Sequence, residues 1–380
     1  MRNATPGPSS QQTTILHVTF NMGIGGTEQV IRQLVTGLPS DCYENHVVCI
    51  DGNVGEMGQQ LQRDGVDVFS ISREAGIDKR LIRAIRESIR QLGVDIVHCH
   101  QYTPWFYGWL ASLGTSARVV FTEHGRFHPD RYRHKAFALN PLMALKTHAI
   151  VAISDATRSA LSRYEFVPKS RIQVLYNGIR SIEKNPSRAS EVRAELGIPD
   201  KDFVLGTIAR LDPVKNQAMM LDGFSIVLES CPDSWLLMVG DGPDRRTLER
   251  RASELGIESR VCFTGFREEP ADYLAAMDLF LLTSHTEGTS MTLLEAMSLG
   301  VPAIATAVGG NVEIVESGRT GLLIPTENPA ELAKAVLRLK SDRDLREKLG
   351  RESRILFEER FSVARMVSRY QDLYVKVLED

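Results

Sequence analysis

Three stretches of this 380-residue sequence carry side chains whose types and spacing could do chemistry on an anionic, hydroxyl-bearing ligand. The most informative is Ser284-His-Thr-Glu287-Gly288-Thr289-Ser290-Met-Thr-Leu-Leu-Glu295. A strand pattern ends at Thr283, a glycine turn follows, and a helix pattern begins near Ser290. The amides of Gly288, Thr289 and Ser290 would then stand free at a positive helix end. Glu287 precedes the helix and Glu295 lies within it, among Met291, Leu293, Leu294 and Met297. A carboxylate in that company needs a specific partner, either ligand hydroxyls or a nearby cation. For Glu287 the plain alternative is a solvated loop charge.

The second stretch, Thr207-Ile-Ala-Arg210-Leu-Asp-Pro-Val-Lys215, leaves the carboxyl end of a strand pattern. A planar guanidinium fork and a compact ammonium together suit a diphosphate; two solvated loop cations are the competing reading. In the third, Gly23-Ile-Gly25-Gly26-Thr27-Glu28 joins the first strand to the first helix, where glycines let the backbone approach a phosphate. The dinucleotide fingerprint asks for glycine where this chain has Glu28, and Asp51 is distant for a ribose-binding acid. An anion-approach loop is preferred here to a plain tight turn. His98-Cys99-His100 places two imidazoles on one face of a strand, half of a metal site with no further ligand indicated. A satisfied or cleft-lining pair is the preferred reading. Asp200-Lys-Asp202 precedes a strand and Asp342-Arg-Asp344 opens a charged helix, so both read as solvated surface rather than metal-binding acid pairs.

These residues need elements to position them. Strand-like runs at 15–20, 46–50, 66–71, 95–99, 118–122, 149–153 and 172–175 alternate with helical periodicity, which implies a parallel sheet covered on both faces. The pattern lapses over a polar stretch at 181–190 and resumes with runs at 203–209, 234–239, 260–263, 279–283, 302–306 and 321–324. The expected fold class is therefore α/β, with two doubly wound Rossmann-like domains facing across a cleft at the carboxyl ends of their strands. The expected division is a disordered lead-in at 1–14, domains at 15–182 and 183–360, and a helix at 361–380 that could pack on either domain.

Composition is ordinary for a globular chain, 43% hydrophobic and 24% charged, and excludes disorder or a fibrous repeat. The net charge of −3 gives no sign of a nucleic-acid partner, although the first half is basic and the second acidic. Five scattered cysteines without a Cys-x-x-Cys pair fit a reducing compartment. The longest uncharged run, 96–117, is too polar for a membrane span, and residues 1–14 lack the apolar core expected of a signal peptide.

In order along the second half come Arg210 and Lys215, Gly240-Asp-Gly242-Pro243, Phe263-Thr-Gly265-Phe266, Glu287-x7-Glu295 and Val308-Gly-Gly-Asn-Val-Glu313. As a set they resemble the family-4 retaining glycosyltransferases of GT-B fold. The resemblance implies a nucleotide-sugar donor held mainly by the second domain, an acceptor held mainly by the first, and a terminal helix that crosses back. It implies that Arg210 and Lys215 bind the donor diphosphate and that Glu295 binds the ribose. Glu287, with the amides of Gly288, Thr289 and Ser290, would hold the transferred sugar. The backbone at Gly265 and Phe266 would meet the base. Gly25 and Gly26 would approach the diphosphate, and His124 would lie beside the sugar. Neither a cofactor nor a metal is expected, because cations and helix amides stand ready for the leaving diphosphate. A UDP-sugar donor is favoured, with GDP-mannose as the alternative, and the acceptor class is a lipid-linked or cell-surface polysaccharide. The competing functions are an NAD-dependent oxidoreductase and a non-catalytic GT-B partner subunit.

Lys79, Arg83, Arg86 and Arg90 form one stripe of a helix opposite Ile82, Ile85, Ile89 and Leu92. Arg126, Arg131, Arg133 and Lys135 add further charge, and Trp105, Phe106, Tyr107 and Trp109 crowd together nearby. An anionic membrane surface is the expected partner for the stripe, which would place a cytoplasmic protein on the inner face of the membrane. The aromatic cluster reads equally as an acceptor or lipid-interface site and as a buried core helix.

Overall fold

The computed structural model describes residues 12–125 and 137–379. The chain forms two compact units, one from the start to Asn177 with Val363–Asp380 added, the other Gly178–Ser362.

The first unit is built on seven strands: β1 (Thr13–Thr19), β2 (Tyr43–Cys49), β3 (Asp67–Ser70), β4 (Ile96–His100), β5 (Arg118–Glu123), β6 (Ala149–Ala152) and β7 (Ile172–Val174). They pair in parallel in the order β3-β2-β1-β4-β5-β6-β7. Side chains alternate between faces, so Leu16, Val18, Val97 and Phe121 enter one core and Ile15, Ile96 and Val120 the other. The helix Val363–Glu379 covers that second face with Met366, Val367, Tyr370, Leu373, Tyr374 and Val377, a stripe at helical spacing. Its two tyrosines reach polar groups of the sheet. Tyr374 Oη lies 2.8 Å from His98 Nδ1, and Tyr370 Oη lies 3.2 Å from Thr122 Oγ1.

The second unit has six parallel strands: β8 (Phe203–Ile208), β9 (Ser234–Val239), β10 (Val261–Gly265), β11 (Leu279–Leu282), β12 (Ala303–Thr306) and β13 (Gly321–Ile324), in the order β10-β9-β8-β11-β12-β13. Its core gathers Leu205, Phe224, Leu236, Met238, Leu281, Ile304, Leu332 and Val336 from strands and covering helices. Both sheets reverse strand order once, at β1 and β4 in the first and at β8 and β11 in the second.

Several expectations need adjusting. β1 starts at Thr13, inside the stretch assigned to the lead-in. The chain passes to the second unit after Asn177 rather than after 182, because Ile179 N–H donates to Phe361 O (3.0 Å) and Ile182 N–H to Ser298 Oγ (2.7 Å). The return falls after Ser362 rather than after 360. The aromatic cluster is core: Trp105 stacks on Phe121 with centroids 4.2 Å apart and donates to Thr147 Oγ1, while Tyr107 Oη donates to Gly76 O and accepts from Asp78 N–H. Of the basic stripe, Lys79, Arg83 and Arg90 are exposed, but Arg86 is half-buried and donates to the carbonyls of Leu110 and Ala111. Of the two acid triplets, Asp342-Arg-Asp344 is exposed as expected, whereas Asp202 of the first is not surface. Asp202 is buried and accepts from Trp235 Nε1 at 3.0 Å, and Asp342 caps the helix Arg343–Arg360 by accepting from Leu345 N–H. Arg126, Arg131, Arg133 and Lys135 lie outside the described residues.

The terminal helix holds the first unit through buried polar groups as well as apolar ones. Tyr374→Phe leaves His98 Nδ1 without a partner inside the core, a loss of about 1–3 kcal/mol. Chemical denaturation should show it as an earlier transition for the first unit.

Candidate active site

In the second unit, the loops after β8 and β11 sit at the place where strand order reverses, and each is tied to the other. His285 N–H donates to Val214 O (2.8 Å), and Thr283 Oγ1 bonds the carbonyls of Lys215 and Asn216 at 3.0 and 2.9 Å. The β8 loop is shaped from within. Asp212 accepts from Val214 N–H to form the turn Pro213–Lys215, and Asn216, at φ 49°, caps the helix Gln217–Ser230. Gln217 Nε2 fixes the carbonyl of Arg210 at 2.9 Å. The Arg210 side chain is 72% exposed, with Asp212 3.8 Å away, a loose pairing that leaves the guanidinium available.

Lys215 and Glu287, expected to act on different parts of a ligand, form an ion pair of 2.6 Å, and Ser284 Oγ donates to the same carboxylate oxygen at 2.6 Å. Only 9% of the Glu287 side chain is exposed against 26% of Lys215. One carboxylate oxygen is thus fully engaged, while Oε2 has no partner among the described residues. The ammonium keeps two of its three donors for another group. The loop after β12 holds this arrangement from below: Gly310 N–H donates to Glu287 O, and Thr306 Oγ1 to Ser284 O. Gly309 is at φ 48°, and a Cβ there would run into the Glu287 carbonyl oxygen. Only glycine fits so close a backbone approach. The same holds at Gly242, whose Cβ would strike the Leu211 carbonyl beneath the Arg210 loop.

Ser290 caps the helix Met291–Leu299 by accepting from Leu293 N–H, which leaves the preceding amides at a positive helix end. Glu295, one turn in, has no ion-pair or hydrogen-bond partner among the described residues, so the cation-partner reading does not hold. Burial alone pushes its carboxyl up to about 7. Gly265 ends β10, and Phe266 beyond it is 63% exposed.

The other expected residues lie in the first unit. Gly25 and Gly26 open the helix Gly26–Gly37, whose N-cap glycine supplies no side-chain cap, and the Glu28 carboxylate folds back toward Gly25 and its own amide. Asp51 is engaged in shaping that loop. It accepts from Asn21 Nδ2 (2.6 Å) and Asn53 N–H (2.9 Å), and Asn21 Oδ1 accepts from Gly23 N–H. His124 follows β5 and is joined to a group that sequence reading found only in part. His17 lies beside His98 in register, and ring nitrogens of His17, His98 and His100 come within 4.8 Å of one another. All six nitrogens of these three rings have hydrogen-bond partners, so the rings are satisfied by each other and by Asn45, Thr122, His124 and Tyr374. The missed signal was the strand period: residues 45, 17, 98, 100 and 124 all fall on one face.

Known proteins share this architecture. The family described as "Glycosyl transferases group 1" matches residues 188–355, and "Glycosyltransferase Family 4" matches 24–181. The chain is 30% identical over 320 residues to N-acetyl-alpha-D-glucosaminyl L-malate synthase of Bacillus anthracis, covering 83% of each chain. It is 24% identical over 380 residues to UDP-Gal:alpha-D-GlcNAc-diphosphoundecaprenol alpha-1,3-galactosyltransferase of Escherichia coli, covering 96% of this chain and 97% of that one. Among solved structures, Anabaena HepE in complex with UDP has a TM-score of 0.86 at 22% identity, covering 96% of this chain and all (100%) of the other. Two parallel Rossmann-like units of this kind define the GT-B fold. The chain belongs to the family-4 glycosyltransferases.

Glu295 supplies a test with a defined sign. A ligand diol bonded by its carboxylate binds the ionised form, so binding releases a proton wherever the free carboxyl is protonated. Affinity for a nucleoside diphosphate should rise with pH until about 7, by at most roughly tenfold per unit, and then level off. In Glu295→Gln, calorimetry should show this component gone and only the ligand's own titration left.

Proposed function

We propose that this glycosyltransferase moves a sugar from a nucleotide-sugar donor, a UDP-sugar before GDP-mannose, to a lipid-linked or cell-surface polysaccharide acceptor, with retention of configuration and without a metal. The observation that carries the reading is the cluster at the strand-order reversal of the second unit: exposed Arg210, Lys215 with donors to spare, and a helix N-terminus. Beside them, among the described residues, Glu287 keeps one carboxylate oxygen without a partner and Glu295 has none on either. Positive groups stabilise charge as it develops on a leaving diphosphate, and the carboxylates accept from sugar and ribose hydroxyls.

In the step itself, the bond from the anomeric carbon to the diphosphate oxygen breaks and a bond to the acceptor oxygen forms on the same face. The acceptor's proton passes to the leaving diphosphate, so no separate base is required. Retention rests on the family resemblance, as do the roles of Gly25, Gly26, Gly265, Phe266 and His124. Freedom from metal rests on the cations present and on the engagement of both Asp-x-Asp triplets elsewhere, Asp202 with Trp235 and Asp342 as a helix cap. The relatives named above add support for a UDP-linked donor and, in the Escherichia coli galactosyltransferase, for a lipid-linked acceptor. Among the described residues no helix is long and apolar enough to cross a membrane. Contact with anionic lipid on the cytoplasmic side would draw on Lys79, Arg83 and Arg90, at on the order of 1 kcal/mol per cation. A non-catalytic partner subunit is disfavoured by the presence of the whole cationic and acidic set.

A screen of donor hydrolysis over UDP- and GDP-sugars, run in excess EDTA, tests the reading. Turnover of one UDP-sugar is expected. No turnover with any donor until Mg²⁺ or Mn²⁺ is added would overturn metal independence, and none under either condition would overturn the donor class. Lys215→Ala should lower kcat by about 10²-fold or more, the scale of one lost transition-state contact. Near-normal turnover in a folded variant would remove Lys215 from the mechanism.

A further inference from the structure

Three histidines and an asparagine lie in line on the face of the first sheet that the terminal helix covers. Asn45 Oδ1 is 3.2 Å from His17 Nε2, His17 Nδ1 is 3.0 Å from His100 Nε2, and His100 Nδ1 is 2.9 Å from His124 Nε2. The last nitrogen, His124 Nδ1, is buried without a hydrogen-bond partner among the described residues.

The strands dictate this line. His17 sits on β1, His100 on β4 and His124 just past β5, three neighbours in the sheet, and Asn45 sits on β2 at the other side of β1. Burial lowers His17 to about 4 and His124 to about 3, and holds His100 well below its usual range, so the rings are neutral near pH 7. A neutral imidazole has one N–H and one lone pair, so each ring passes on the direction it receives. An amide oxygen only accepts. His17 therefore carries its proton on Nε2 and offers a lone pair at Nδ1. His100 donates to it from Nε2 and offers Nδ1 in turn, and His124 donates from Nε2. What remains is a bare lone pair on His124 Nδ1.

We propose that Asn45, His17 and His100 form a one-way hydrogen-bond relay that holds the His124 proton on Nε2, so that Nδ1 is kept as an acceptor for a hydroxyl of the bound ligand. These three are positioning residues, acting through His124. The relay is a lock and not a proton wire, since the asparagine end cannot take up a proton. His98 stays outside it. Its nitrogens are held by Tyr374 and Thr122, both at 2.8 Å, and its ring packs 4.1 Å from that of His100. That contact keeps His100 in place from the side of the terminal helix. Only the identity of the hydroxyl rests on the reading as a glycosyltransferase acting on a sugar; the lock itself does not.

The test is a long-range ¹H–¹⁵N spectrum of the histidines in the full chain without ligand, together with transfer kinetics. In the unaltered protein, His124 Nδ1 is expected at the position of an unprotonated ring nitrogen and Nε2 at that of a protonated one. Asn45→Ala removes the fixed end and should shift the tautomer ratio by about fivefold, the scale of one neutral hydrogen bond, moving both signals toward the average. His17→Phe keeps a ring in place but cuts the relay, and should do the same. Val30→Ala, which loosens the same core without touching the relay, should leave the signals alone. Transfer should fall about fivefold in Asn45→Ala with nucleoside diphosphate affinity unchanged. A protonated Nδ1 in the unaltered protein, or signals indifferent to Asn45→Ala, overturns the relay, as does a metal ion found stoichiometrically on these histidines. A relay seen by NMR in a protein that transfers no sugar supports the lock and overturns the function.

Discussion

Where a parallel sheet reverses its strand order, the helices that follow the two central strands leave to opposite faces and cannot close over the loops between them. In the second unit this constraint acts at β8 and β11, and the chemistry-bearing residues of that unit are ranged around it. Arg210 and Lys215 leave β8, Glu287 and the amides of the next helix leave β11, and β12 sends Gly309 and Gly310 beneath them. The loops cannot be packed by helices, so they are held by each other, through Thr283, His285 and the backbone of Glu287. Precision at the site comes from backbone and threonine bonds, which leave Arg210 exposed and hold Lys215 and Glu287 paired.

The same economy governs the first unit with opposite polarity. Its corresponding face is closed by the terminal helix, and the polar groups there are buried. Histidines on adjacent strands are permitted in a core only when every nitrogen is accounted for. Here the accounting runs through one asparagine, one tyrosine and a threonine, and among the described residues one nitrogen is left over, on His124. The second unit presents charge to solvent, whereas the first hides neutral polarity and brings a single lone pair to its end.

Much of this was legible in the sequence because it is local. Alternation of short apolar runs with helical periodicity locates the thirteen strands of the described residues to within a few positions, since period and burial are properties of neighbouring residues. Glu287-x7-Glu295 is readable for the same reason: strand, glycine turn and helix follow one another directly. What escaped reading depends on distance in the chain. The pairing of Lys215 with Glu287 joins residues 72 apart, and the bond between His98 and Tyr374 spans 276. Asp202 looked like surface because its partner Trp235 belongs to the next strand. The aromatic cluster at 105–109 was ambiguous because a wholly apolar helix has no polar face to declare which side is in.

The terminal helix has a consequence for how the molecule is made. Met366, Tyr370 and Tyr374 complete a core whose other residues, Ile15, Val30 and Ile96, lie hundreds of positions earlier. A ribosome delivers β1 before every residue of the second unit, Gly178–Ser362, and Tyr374 after all of them. The core of the first unit therefore cannot close until the whole second unit has been synthesised, because the helix that covers its histidine-bearing face follows that unit in the chain.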